Sequence, residues 1–260
     1  QVPALTGIGL VPRPRWAPRH DGVRRIMALM VPALFGVSVS QINLLLDTVL
    51  ASLLPTGSVS WLYYSDRLTE LPLGVFAIAI ATVILPTLSG QRARADDPAF
   101  SAPLTWAIRS VLLIAVPATL ALIMLAEPLL ATLFQYGAFS VDDRMMAAAS
   151  LRAYAVGLGA FMLVKVLAPG FYARENMRTP VRIGIVAMVA NMVLNVALVF
   201  PLMWWFNLGH VGLALATAIA AWANAGMLYR GLRRDAILSL NALSIRWLTQ
   251  IAFGTLAMTL

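Results

Sequence analysis

The chain has 260 residues, 60% of them hydrophobic and 12% charged, with a formal net charge of +8 and no cysteine. Soluble domains are nearer half apolar and a quarter charged, and disordered chains need low hydrophobicity, so both classes are excluded. Disulfides, thiolate metal sites and a cysteine nucleophile are excluded too, and the two histidines, His20 and His210, are too few for a histidine-rich metal site.

One membrane span takes about 20 apolar residues, so a chain of this length holds roughly seven. In chain order, apolar runs cover 24–54, 58–89 and 102–125. A short amphipathic stretch at 128–136 reads as lying at the membrane interface. Runs at 142–172, 180–206 and 209–232 follow, and a seventh opens near Leu243. The first run exceeds the length of a perpendicular span and contains Pro32, which predicts tilt or a kink. No run alternates strictly between apolar and polar residues, which argues against a β-barrel. The expected fold is an all-α polytopic transmembrane helix bundle. Residues 1–23 read as the end of a preceding helix and a basic loop, 24–232 as a six-helix lobe, and 233–260 as a loop and the start of a further helix. The chain opens on the apolar QVPALTGIGL and stops at Leu260 inside another apolar run, so it reads as a piece of a longer membrane protein.

The placement of charge predicts orientation. Arg13, Arg15, Arg19, Arg24 and Arg25 precede the first run, and Arg92 and Arg94 follow the second. Arg174, Arg178 and Arg182 separate the fourth from the fifth, and Arg230, Arg233, Arg234 and Arg246 follow the sixth. The alternate breaks hold one basic residue, Arg144, against these fourteen, so the basic breaks are assigned to the cytoplasm. This distribution accounts for the net charge without a nucleic-acid partner, which would need basic residues clustered on a folded surface. Trp61, Trp106, Trp204, Trp205 and Trp247 fall at predicted helix ends, as an aromatic belt requires.

A charge in hydrocarbon is costly, so each ionisable group inside a span is a functional candidate. The second run carries Asp66, Arg67 and Glu70. Residues three and four apart share a helix face, so Arg67 and Glu70 can pair, and Ser60, Tyr63 or Tyr64, Arg67, Glu70 and Gly74 make one polar stripe. A local ion pair reaching back to the interface is the plainer reading; a ligand-facing stripe is the other.

The first run places Ser40, Asn43 and Asp47 on one face, the fifth carries Asn191 and Asn195, and the sixth carries Thr217 and Asn224. Amides, a hydroxyl and a carboxylate are hard oxygen donors suited to a small cation, and they are equally suited to hydrogen bonding between helices. Asn43-x-x-x-Asp47 and Asn191-x-x-x-Asn195 form a weak internal echo, of the kind transporter repeats show. Lys165, in the fourth run, is open to two readings: an anionic ligand in a cavity, or a partner such as Glu70 or Asp66. Asp96–Asp97 reads as a turn or helix start and Asp142–Asp143 as helix N-terminal charge. No phosphate loop, nucleophile elbow or zinc-peptidase motif is present, so an enzyme is not expected.

Two long segments, GVSVSQINLLLDTVLAS and GSVSWLYYSDRLTELPLGVFAIAIATVILPTLS, resemble the MurJ (MviN) family of lipid II flippases. The resemblance continues through LFQYGAFS and YAVGLGAFMLVKVLAPGFYARENMRTPVRI and covers the chain from about Pro12 onward. It implies a MATE-like second lobe in a bacterial inner-membrane, multi-pass protein. It further implies transport of an undecaprenyl-pyrophosphate-linked peptidoglycan precursor, with membrane lipids and a first lobe of the same protein as partners. By the same resemblance Arg67, Glu70, Asp66 and Lys165 face the substrate, while Asp47, Asn191, Asn195 and Thr217 correspond to a sodium site found in some members. One family ligand there is an Asp where this chain has Asn195, which lowers the charge of the site. The alternatives are a MATE-type exporter or an O-antigen lipid-linked oligosaccharide flippase.

Overall fold

A computed structural model describes residues 20–93, 97–235, 249–251 and 254–255. Most of the predicted seventh span, Trp247 and the earliest arginines lie outside these residues. The other predicted spans are all helical. They are α1 (Asp21–Ser52), α2 (Ser58–Pro72), α3 (Ile78–Ala93), α4 (Asp97–Met124), α5 (Ala126–Phe134), α6 (Val141–Tyr172), α7 (Arg178–Phe206) and α8 (Gly209–Arg234). α2 and α3 are one rod, joined through a π-helical turn at Leu73–Ala77. Six rods are long and apolar enough to cross a membrane, and no strand occurs among the described residues. α1 stays helical across Pro32; the α-helical pattern breaks instead just after Pro72.

Short polar turns set the ends. Gly57 adopts φ 102°, and a Cβ there would meet the Trp61 ring at 2.6 Å, so only glycine fits this turn. At the start of α6, Ser140 and Asp143 form a reciprocal capping box, which bears out the reading of the Asp142–Asp143 pair. Asp143 also accepts from Trp61 Nε1 at 2.7 Å, and one turn on, Ala147 O accepts from Ser65 Oγ at 2.7 Å. Both bonds join residues 82 apart, so α2 and α6 run parallel and level with each other. The amphipathic stretch is α5, fixed by an ion pair from Arg152 to Glu127 at 2.9 Å.

Lipid is as apolar as leucine, so helices in a membrane associate by close packing and polar bonds. Accordingly α6 meets α8 where a Cβ on Gly157 would lie 2.8 Å from Ala218 Cα, and α7 meets α8 where one on Gly212 would lie 3.0 Å from the Leu198 backbone. Ala214, Ala216, Ala218 and Ala220 of α8 are all buried. The main core gathers Leu104, Ile108, Leu130, Leu151, Leu158 and Phe171 around α6. α1 stands outside it and leaves Phe35, Leu44 and Leu45 at 64%, 60% and 65% exposure.

Candidate functional site

Two polar clusters interrupt this apolar lobe. The first joins α1, α7 and α8. Asp47 accepts from Asn195 Nδ2 at 2.7 Å and from Asn43 Nδ2 at 3.1 Å. Asn195 Nδ2 also donates to Asn191 Oδ1 at 3.2 Å, and Asn191 Nδ2 donates to Thr217 Oγ1 at 3.3 Å. All four residues predicted for a cation are therefore brought together, and the two halves of the internal echo meet across one contact. Asn43 is a fifth member; its i, i+4 spacing to Asp47 was the signal for it. The side chain of Ser40 lies outside the described residues, and no hydrogen bond joins Asn224 to the cluster. Asn191 and Asn195 are almost fully buried. Asn43 Oδ1 and Asn195 Oδ1 are buried with no partner, so two amide oxygens stand free beside a carboxylate. That surplus of acceptors fits a small hard cation. No group of three or more His, Asp or Glu able to hold a metal occurs among the described residues, so any ion here would rest on one carboxylate and neutral oxygens.

The second cluster runs along α2. Arg67 Nη1 donates to Glu70 Oε2 at 2.6 Å, and its guanidinium lies 4.9 Å over the Tyr63 ring. Ser60, Tyr63, Arg67, Glu70 and Gly74 are all exposed, so the predicted stripe faces away from the core of the lobe. The choice between Tyr63 and Tyr64 is resolved, because Tyr64 packs inward on Phe134 at 4.7 Å and Phe139 at 5.3 Å. Asp66 is half-buried on the adjoining flank and makes no hydrogen bond or ion pair among the described residues. Arginine presents a planar fork matched to a phosphate, and the face of the Tyr63 ring attracts its charge. One cation among two carboxylates is a weak anion site by itself; an incoming phosphate must displace Glu70. The π-helical turn begins one turn past Glu70, a placement common at functional positions.

Lys165 does not join this cluster. It is exposed and pairs with neither Glu70 nor Asp66 among the described residues, which disfavours the second of its two readings. The 82-residue offset explains why: Lys165 is level with Val83, thirteen residues beyond Glu70 along the parallel rod. At a rise of 1.5 Å per residue the gap is about 20 Å.

Sequence reasoning gave Trp61 and His210 no part beyond the belt and the count of histidines. In the structure His210 is buried, its ring 4.9 Å from that of Trp61, so the starts of α2, α6 and α8 are fastened together.

The family model described as Lipid II flippase MurJ matches residues 1–260. The probable lipid II flippase MurJ of Vibrio cholerae is 49% identical over 259 residues, covering 100% of this chain and 48% of the relative. That of Haemophilus influenzae is 49% identical over 264 residues, covering 99% and 50%. The lipid II flippase MurJ of Burkholderia cenocepacia is 40% identical over 99% of this chain and 50% of its own. The chain thus spans about half the length of the curated relatives it matches. Among solved structures, lipid II flippase MurJ in an inward closed conformation aligns with a TM-score of 0.75 at 25% identity, over 98% of this chain and 51% of that one. An outward-facing multidrug resistance MATE family transporter of the MOP superfamily aligns with a TM-score of 0.63 at 18% identity, over 90% and 53%, a likeness of fold.

Proposed function

We propose, because this chain belongs to the lipid II flippase MurJ family, that it forms the second lobe of a transporter of lipid-linked peptidoglycan precursor. The protein sits in the bacterial inner membrane and moves the undecaprenyl-pyrophosphate-linked precursor from the cytoplasmic to the periplasmic leaflet. The observation that carries this reading is Arg67: a guanidinium over the Tyr63 ring, held by Glu70, and displayed on an exposed face of the lobe. A pyrophosphate is an oxygen-rich dianion that an arginine fork grips through two bonds. Glu70 keeps Arg67 oriented until phosphate takes its place. With one cation between two carboxylates, this lobe holds the headgroup only together with cations supplied from the rest of the protein. No bond is made or broken, so the protein is a carrier with no catalytic residue. Lys165, about four turns nearer the basic end, meets the headgroup at a different stage of the passage.

Asp47, Asn43, Asn191, Asn195 and Thr217 serve as a cation site, sodium being the candidate ion. Bound there, the ion would neutralise Asp47 and tie α1 to α7 and α8. With Asn195 supplying no charge, binding is modest in strength. A protonated Asp47 sharing its hydrogen bond with a neighbouring amide is the competing arrangement.

Replacing Arg67 with alanine in the full-length protein should abolish precursor flipping at normal membrane abundance, and lysine should restore part of it. Normal flipping by Arg67→Ala would reduce Arg67 to a structural role. Sodium should raise the thermal midpoint of the wild type and leave Asp47→Asn unmoved. A cysteine at Thr56 should label from outside the cell, and one at Arg233 should not. A MATE-type exporter of organic cations remains the rival; a cavity built on Arg67 repels such cargo.

A further inference from the structure

At the basic end of the bundle lies a cavity of about 460 Å³, where α6 ends, the turn into α7 passes and α8 ends. Its wall, among the described residues, is Phe171, Arg174, Asn176 and Asp235. None of them belongs to the arginine stripe or to the cation cluster. The local sequence fixes this wall. Asn176 N–H donates to Phe171 O at 3.0 Å across Glu175, whose left-handed φ of 59° turns the chain out of α6. The Asn176 side chain accepts from Thr179 N–H at 3.1 Å and donates to Thr179 Oγ1 at 2.9 Å, which fixes the start of α7. Phe171 is the floor. It is buried, and a Cβ on Gly231 would meet its ring at 3.0 Å, so α6 and α8 approach closely here. Asp235 N–H donates to Gly231 O at 3.1 Å, which sets its carboxylate one residue beyond α8.

Two opposite charges share this wall. Arg174 Nη1 lies 3.7 Å from Asp235 Oδ2, well past the roughly 2.7–2.9 Å of a close charged hydrogen bond. Their side chains are 29% and 46% exposed, so a ligand can reach both. An open pair of this kind contributes little stability by itself. The helix ends around it carry the same two signs. The carbonyl ends of α6 and α8 favour a cation, and the first N–H groups of α7 favour an anion. The cavity therefore suits a ligand that carries one positive and one negative group side by side.

We propose that this cavity binds the headgroup of an ethanolamine phospholipid of the cytoplasmic leaflet, with its phosphate on Arg174 and its ammonium on Asp235. The ethylene link of that headgroup keeps its two charges close together, as a pair 3.7 Å apart requires. A choline headgroup carries a cation without N–H donors, and a glycerol headgroup carries no cation, so neither satisfies Asp235. Along α7, Ile185, Val186 and Val189 are exposed from two turns further on, an apolar surface for the tails. A lipid seated there ties the ends of α6 and α8 to the start of α7.

The test uses the full-length protein in detergent, with native mass spectrometry reading bound lipid. The probes are dioleoyl phosphatidylethanolamine, phosphatidylcholine and phosphatidylglycerol. The wild type should bind the ethanolamine lipid about tenfold more tightly than either of the others. Asp235→Asn should bind the ethanolamine and choline lipids alike. Arg174→Gln should lose about tenfold in affinity for the ethanolamine lipid. A wild type that binds the choline or the glycerol lipid as tightly as the ethanolamine lipid overturns the proposal. So does an Asp235→Asn protein that keeps the tenfold preference. Water-soluble phosphoethanolamine should displace the lipid only in large excess; displacement at equal concentration would assign the cavity to a soluble ester and overturn the lipid.

Discussion

α1 and α6 each have 32 residues, and each crosses the bundle from end to end, yet one is bare and the other enclosed. Within their apolar windows 6% of α1 is buried inside the lobe, against 56% of α6. The difference is one of side-chain size. α6 holds seven alanines and three glycines, and α1 three and two. Small residues let backbones approach closely, and close approach is what holds helices together in lipid. α1 shows leucine, valine and phenylalanine on nearly every side, and Asp47 joins it to the lobe by a hydrogen bond from Asn195. α6 is held mostly by shape, and α1 has less packing and adds a polar bond. A cation competing for Asp47 therefore acts on the helix least held by packing.

Substitutions can break this contrast, and the largest effect should come from α6. Gly157→Leu would set a Cβ 2.8 Å from Ala218 Cα and force α6 from α8. A loss of about 3 kcal/mol is expected, read as a large fall in thermal midpoint and membrane abundance. Gly184→Leu, with nothing within 4 Å of the new Cβ, serves as control and should be silent. Asp47→Ala should cost about 2 kcal/mol by stranding its amide partners. Hydrogen exchange should then rise along α1 and stay low along α6; equal exchange in both would show that α1 has another anchor. Trp61→Phe, which removes the bond to Asp143, should cost about 1 kcal/mol. Smallest of all, Leu44→Ala and Leu45→Ala should stay within about 0.5 kcal/mol. A larger loss would mean that a surface beyond this lobe covers α1.

Why the sequence disclosed some of this and not the rest follows from the same physics. Spans announce themselves because lipid tolerates no long polar stretch, so the rods fell within a few residues of their predicted limits. Asp47, Asn191, Asn195 and Thr217 were legible one by one as polar residues on apolar helices. Their meeting was not, because it depends on how three helices pack. Lys165 stayed open between an anionic ligand and a partner such as Glu70 for a related reason: spacing along one helix says nothing of its height relative to another. The bonds of Trp61 and Ser65 to α6 supply that height, and both are formed by residues that look unremarkable in the chain. Asp66 was grouped with Arg67 because they are neighbours in sequence, yet successive residues point about 100° apart around a helix, and Asp66 turns toward the flank.

The π-helical turn at Leu73–Ala77 has a consequence for the phase of its helix. Buried positions along this rod step from Leu62 to Ser65, Thr69 and Pro72, then leap to Ala77 before continuing at Ile84 and Leu88. A leap of five would swing the stripe well around an ordinary helix; the wider turn absorbs the extra residue and keeps both halves facing the same neighbours. On a helical wheel the rod looks like two amphipathic segments out of step, which blurs its pattern to any periodicity analysis. Deleting Val75 should therefore be tolerated, leaving a straight rod with both stripes aligned, whereas deleting Ile80 should turn everything after it away from the core.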